Sequence, residues 1–433
     1  MAIELRYGRG VRTLQLPATA RPTIIRKPRM PVIADIPAAV GGALDNCVGG
    51  SSLHALAQQA ASACIAVCDI TRPVPNHLFL RPIVERLVDA GIPLDRITVL
   101  VATGLHRPNE GDELAELIGD SWVLKNVRIE NHFAENDLQH VALGRTQTRD
   151  TEVLLDRRFV EADLKIVSGL VEPHFMAGYS GGRKVIAPGL AHVRTIRTFH
   201  NSDFMGNPFA RSCNFDRNPL HEEQLEIVRM LGSTFAVNTV IDEERRLSFI
   251  NFGEVVASHH QAVEFVRPFC EVSVPEPYPV VVTSSAGYPL DQTYYQTVKG
   301  MVCAMDILAD GGELIIVSEC AEGLGSGSFR DAQRRLVTAG PEAFLRQIAL
   351  KPLADIDEWQ SQMQTRPMAV GRITLVTDGL KPDECDLTGV NVTDDLNQAV
   401  ASALTRQQSS KLAVIPEGPY VVPFCRQVAS AGG

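Results

Sequence analysis

The sequence predicts an α/β protein with largely parallel sheets, on two observations. Short, continuously apolar, β-branched runs recur along the 433 residues, and amphipathic stretches separate them. Strands of this kind, apolar on both faces and alternating with helices, are those of a parallel sheet covered on either side. The runs are 64–69, 96–104, 165–169 and 235–242, then 279–287, 313–320, 372–378 and 411–416. The helical stretches include 78–90, 220–231 and 396–404. Thr393-Asp394-Asp395 precedes the last of these as a helix N-cap, where acidic residues meet the positive helix end.

The length suggests two or three domains. A boundary is expected at residues 270–279, where three prolines fall within five residues before a new strand. All eleven histidines lie at or before His260, so the chain beyond residue 270 supplies no imidazole. The Ala-Gly-rich last residues read as a frayed tail.

Composition excludes several classes. Hydrophobic residues make up 45%, charged residues 21%, and mean hydropathy is +0.01, as in an ordinary globular protein. The net charge of −10, from 41 Lys+Arg against 51 Asp+Glu, argues against nucleic-acid or anionic-membrane partners. No apolar run reaches the roughly 20 residues of a membrane-spanning helix. The first residues do not read as a secretory signal. Nine scattered cysteines argue against a disulfide framework and for a reducing, cytoplasmic setting. Cys64 and Cys68, on an expected buried strand, read as core packing.

Four motifs could contribute to one site. Asp69-Ile-Thr71-Arg72-Pro-Val-Pro75 ends a strand, where α/β proteins bind ligands. Arg72 offers a planar fork for a carboxylate or phosphate; a turn capped by Asp69 is the competing reading. Ala102-Thr-Gly-Leu-His106-Arg-Pro108 ends another strand and offers His106 as a base, or as a helix cap. The stretch 172–189 combines His174, Gly178, Gly181, Gly182, Arg183 and Lys184, with His200 downstream. It joins an imidazole, an amine able to form a covalent link and a glycine-rich turn that suits an anion. It lacks the glycine spacing of an NTPase phosphate loop, and Val185 follows the lysine instead of Ser or Thr. The fourth motif runs from Gly287 to Gly300 and places Tyr295, Gln296 and Lys299 on one helical face, which could equally be a solvated one.

Taken together, Asp69-x-Thr-Arg-Pro-Val-Pro75, Ala102-Thr-Gly-x-His-Arg-Pro108, His174-Phe-x-Ala-Gly-x-Ser-Gly-Gly-Arg-Lys184 and Gly287-Tyr-Pro-Leu-Asp-Gln292 with Tyr295-Gln-x-Val-Lys-Gly300 resemble the lactate racemase family. These enzymes carry a nickel-pincer nucleotide, a pyridinium mononucleotide with two sulfur-bearing substituents. The resemblance implies two Rossmann-like domains, 1–270 and 275–407, with the active site in the cleft between them and residues 408–433 as a candidate return to the first. It implies that Lys184 forms a thioamide with the cofactor and that His200 completes a square-planar nickel set, a geometry suited to Ni(II). His106 and His174 become paired acid/base residues. Arg72, Tyr295, Gln296 and Lys299 become substrate ligands. Asp69, Thr71, Gly181 and Gly182 orient or hold the nucleotide.

The implied reaction is racemisation or epimerisation of a 2-hydroxy carboxylate through a 2-keto acid, by reversible hydride transfer. It avoids an enolate dianion and needs a base on each side of the substrate. Lactate-like acids are the first expectation, with malate, aryl-lactates and aldonates open. The implied partners are the small-molecule substrate and the enzymes that make the cofactor. Two rivals are a cofactor-independent two-base racemase and a non-catalytic nucleotide- or metal-binding protein. The absence of His-Glu-x-x-His and Cys-x-x-Cys argues against a hydrolytic zinc enzyme.

Overall fold

The structure is a computed structural model and describes residues 1–425; the expected frayed tail lies outside the described residues. The chain forms two compact units. The first comprises Arg29–Phe199 and Asn214–Arg267; the second comprises Met1–Pro28, His200–Cys213 and the described residues from Pro268 onward.

The first unit is built on a six-stranded sheet in the order Leu247–Glu254, Phe235–Ile241, Leu164–Leu170, Ala63–Cys68, Ile97–Ala102, Arg128–Asn131. Its pairings are parallel except at the Leu247–Glu254 edge, which returns antiparallel to its neighbour. The central strands are apolar on both faces because helices such as Ile36–Asp45 and Asn76–Asp89 pack on them. Ile65, Val67, Val99, Val101 and Ile166 are fully buried with Phe79, Leu80 and Ile83. Cys64 and Cys68 belong to this strand layer. Burial pushes both thiols up, Cys68 to about 12, which leaves them as inert packing groups.

The second unit holds a six-stranded, all-parallel sheet in the order Asn391–Thr393, Arg372–Val376, Leu308–Val317, Tyr278–Ser284, Lys411–Ile415, Arg21–Ile24. Val281, Leu314, Ile316 and Leu375 are buried on one side of it, Val280, Val282, Ile315 and Val414 on the other. The helix Leu396–Arg406 begins as expected, with the Asp395 side chain accepting from Gln398 N.

The division differs from the expected domains 1–270 and 275–407. Residues 1–28 join the later part of the chain because Arg21–Ile24 pairs with Lys411–Ile415. The turn of the hairpin Ala2–Tyr7/Gly10–Gln15 also braces the Gly287 motif. There Gly8 N donates to Asp291 Oδ2 at 2.6 Å and Tyr288 N to Gly8 O at 2.8 Å. Residues 411–415 do not return to the first domain, since their strand lies inside the second unit's sheet, between Tyr278–Ser284 and Arg21–Ile24.

Residues 200–213 are the third departure, and a helix that reads as polar holds them. In Glu358–Val370, the residues Glu358, Gln360, Ser361, Gln362, Gln364 and Thr365 are all buried. Their amides bond to carbonyls instead of water: Gln362 Nε2 to Ser202 O at 3.0 Å and Gln360 Nε2 to Tyr295 O at 2.6 Å. Arg366 likewise donates to the carbonyls of Ala210 at 2.8 Å and Asn207 at 2.9 Å. Burial of such side chains is tolerable only with partners of this kind. Among the described residues no helix is long and apolar enough to cross a membrane.

Candidate active site

The first unit's sheet order decides what can meet. Leu164–Leu170, Ala63–Cys68 and Ile97–Ala102 are adjacent parallel strands. Their carboxyl ends release, side by side, the His174–Lys184 loop, the Asp69–Arg72 turn and the His106 loop. The loops are tied to one another. Gly104 N donates to Gly189 O at 3.0 Å. His132 bridges the same pair: its carbonyl accepts from Thr103 Oγ1 at 2.7 Å, while its ring lies 3.0 Å from Asp156 Oδ2 and 3.1 Å from Ala191 O. His132 and Asp156 were not singled out in the sequence, because neither stands near a motif.

His106 and Asp69 form a pair. The imidazole Nδ1 is 2.5 Å from Asp69 Oδ2, and Thr71 donates to Asp69 Oδ1 through its hydroxyl at 2.6 Å and its amide at 3.2 Å. Burial alone would raise the Asp69 carboxyl, but His106, Thr71 and Arg72 together hold it below the usual aspartate range. An ionised carboxylate at Nδ1 puts the ring proton there and leaves Nε2 as an unprotonated base. Both carboxylate oxygens of Asp69, expected to orient or hold a nucleotide with Thr71, are engaged within the protein.

His174 is arranged oppositely. Its Nδ1 accepts from the backbone amides of Met176 at 3.3 Å and Ala177 at 3.2 Å. The neutral ring therefore carries its proton on Nε2. The two histidines, expected as a matched acid/base pair, have different surroundings: a carboxylate faces Nδ1 of His106, and two backbone amides donate to Nδ1 of His174. Arg72 is ion-paired with Glu172 at 2.5 Å, a partner absent from its expected role as a substrate ligand.

Lys184 is the most unusual group in the unit. Its amine makes no hydrogen bond or ion pair among the described residues. Burial, reinforced by Arg72 and Arg183, brings its pKa down to about 8; Cys68 and Asp69 oppose that shift. At a pKa of about 8 roughly a tenth of the amine is unprotonated at pH 7, far more than for an ordinary lysine, and that fraction is nucleophilic.

Gly181 and Gly182, expected to cradle an anion, also stand where packing leaves no room for a side chain. A Cβ on Gly181 would sit 2.8 Å from Val171 Cγ2, and one on Gly182, at φ +47°, 2.8 Å from His259 Cγ. Gly182→Ala combines left-handed backbone with a clash. It is expected to destabilise the protein by about 2–4 kcal/mol in urea unfolding.

In the second unit, Tyr295, Gln296 and Lys299 do lie on one helix, Tyr294–Ala304. Tyr295, however, is engaged at its hydroxyl: Trp359 Nε1 donates to it at 3.2 Å, and it hydrogen-bonds to Asp357. These partners fix the ring of the residue expected to contact the substrate. Gln296 differs, since its Oε1 is buried without a hydrogen-bond partner. His200 is 9% exposed, with its ring centroid 4.9 Å from that of Trp359. Among the described residues no group of three or more His, Cys, Asp or Glu could hold a metal ion by itself.

The comparisons with known proteins agree across the chain. Residues 7–212 match the model of the lactate racemase N-terminal domain, and residues 275–422 that of the C-terminal domain. The chain belongs to the lactate racemase family. A lactate racemase from Lactiplantibacillus plantarum is 33% identical over 382 residues, covering 88% of this chain and 89% of the relative. One from Thermoanaerobacterium thermosaccharolyticum is 30% identical over 434 residues, covering 97% and 98%. The solved apoprotein from the latter organism superposes with a TM-score of 0.90 over 98% of this chain and 100% of its own. A Thermotoga maritima protein shares the fold alone, at 18% identity and a TM-score of 0.64, over 86% and 97% of the two chains. Membership makes this chain a racemase, an isomerase in class.

Proposed function

We propose that this protein racemises a lactate-like 2-hydroxy acid with a nickel-pincer nucleotide attached to Lys184. The observation that carries the reading is Lys184 itself: an unpaired amine, depressed to about 8, at the carboxyl end of a parallel sheet beside a paired acid and base. A nickel ion bound by His200 would need its other donors from outside the protein, as a pincer ligand supplies, since the described residues contain no metal cluster of their own. When bound, the cofactor supplies a hydride acceptor, so the α-hydrogen need not leave as a proton.

The chain's own residues handle the hydroxyl proton. His106 accepts it at Nε2, and the imidazolium that forms is stabilised by Asp69. His174, with its proton on Nε2, donates a hydrogen bond to the oxygen and orients it. Arg72 attracts the substrate carboxylate, with Glu172 fixing the plane of its fork. Gln296 and Lys299 are assigned to the hydroxyl and carboxylate; the unsatisfied Gln296 Oε1 supports this, because a buried acceptor without a partner is costly.

The test is isotopic. Substrate racemised in deuterated water is expected to retain its α-hydrogen. Extensive wash-in of deuterium would overturn this mechanism in favour of direct proton abstraction by the two histidines.

A further inference from the structure

Asn109 takes no part in proton transfer or substrate binding, yet it joins the two loops that bring His106 and Asp69 together. It is 2% exposed and lies three residues after His106, on the loop that leaves the strand Ile97–Ala102. Its side-chain carbonyl accepts from the backbone N–H of Ile70 at 3.3 Å, and Ile70 directly follows Asp69. The loops therefore meet twice, at His106 with Asp69 and at Asn109 with Ile70. The other bonds of the Asp69 turn lead elsewhere. Thr71 and the Arg72 N–H bond back to Asp69 and close the turn on itself, while the Arg72 fork reaches Glu172.

Both ends of Asn109 are held. Its Nδ2 donates to Glu113 Oε2 at 2.8 Å, and the Arg107 fork grips that carboxylate at 2.6 and 2.7 Å. Arg107 above all, with Asn109 behind it, keeps the Glu113 carboxyl below its usual range against a smaller opposing effect of burial. An ionised carboxylate only accepts, so the Asn109 amide turns its NH2 to Glu113 and its oxygen to Ile70. The backbone is pinned as well. Asn109 N donates to Asn131 Oδ1 at 3.0 Å, and its carbonyl accepts from Asn131 Nδ2 at 2.9 Å. Asn131 ends the strand Arg128–Asn131, which pairs with Ile97–Ala102, so the anchor belongs to the sheet.

We propose that Asn109 is a positioning residue for the His106–Asp69 pair: anchored to the sheet by Asn131 and aimed by Glu113, it holds the Asp69 turn against the His106 loop and keeps the carboxylate on Nδ1. The proposal rests on the reading of His106 as the base. A hydrogen bond of 2.5 Å tolerates little drift between the loops that carry its two ends. Asparagine suits the position because it offers a donor and an acceptor at once and stays uncharged between two carboxylates.

The experiment has two arms. The first uses the full chain without cofactor, its histidines labelled with nitrogen-15, at a pH where the ring is neutral. Ring-nitrogen shifts report which nitrogen carries the proton, and the His106 signals are those lost in His106→Gln. The parent is expected to carry the proton on Nδ1, and Asn109→Ala to show a mixture of both tautomers. A parent protonated on Nε2, or an unchanged tautomer in Asn109→Ala, overturns the proposal. The second arm measures turnover of the holoenzyme. Asn109→Ala is expected to lower kcat about 10–100-fold with KM little changed, and to cause no further loss in the Asp69→Asn background. An equal loss in both backgrounds overturns the proposal, since it would mark a structural role independent of Asp69. If Asn109→Ala does not fold, Asn109→Leu, which keeps the volume and lacks the acceptor, carries the same predictions. The first arm needs neither cofactor nor turnover, so it stands apart from any finding that His106 is not the base.

Discussion

Lys184→Ala protein, produced alongside the enzymes that make the cofactor, is expected to have the intact mass of the unmodified chain and no racemase turnover. The parent produced in the same way should carry one adduct and nickel. The reasoning is that covalent attachment needs an unprotonated amine, and burial, with Arg72 next to it, enlarges that fraction for Lys184. Lys184→Arg should fail equally, since a guanidinium stays protonated and is a poor nucleophile at neutral pH. An adduct persisting in either variant would sink the assignment. Loss of turnover with the adduct retained would instead make Lys184 a binding residue.

Asp69→Asn is expected to lower kcat roughly 10²–10⁴-fold, as is His106→Gln. The asparagine amide can donate to His106 Nδ1, which would transfer the ring proton to Nε2 and remove the base. The carboxylate at 2.5 Å does the reverse. His174→Gln should be milder in kcat and stronger in KM, because the Nδ1 of His174 is already taken by two backbone amides. Equal losses at His106 and His174 would restore the picture of two equivalent bases. The Asp69 pair also has a pH signature. Its carboxyl is held below the ordinary aspartate value in the folded state. Its contribution to stability is therefore fully present above that ordinary value and is lost as pH falls through the lower folded one. Asp69→Asn should flatten the acid side of the melting-temperature profile, measured by thermal unfolding.

Much of the fold was legible in the sequence because parallel strands buried on both faces leave uninterrupted apolar runs. All eight runs became strands, such as Ala63–Cys68 and Leu164–Leu170. The Leu247–Glu254 edge and the hairpin Ala2–Tyr7/Gly10–Gln15 were not recognised, since short antiparallel edges mix polar with apolar residues. The helix Glu358–Val370 gave no signal of burial at all. Its glutamines read as solvent-facing, and only the carbonyls of Tyr295, Ser202 and Thr388 explain them.

The sequence by itself determined which chemistry-bearing residues exist and which family they place the chain in. Motifs such as Ser180-Gly-Gly-Arg-Lys184 and Asp69-x-Thr-Arg72 are local and survive in one dimension. The tertiary structure decided what each residue faces, because pairing depends on strand order and not on spacing. Asp69 meets His106 across 37 positions, Arg72 meets Glu172 across 100, and Arg183 meets His259 across 76. Those encounters set Asp69 against a histidine, gave two similar histidines unlike surroundings, and left one arginine buried without an anion.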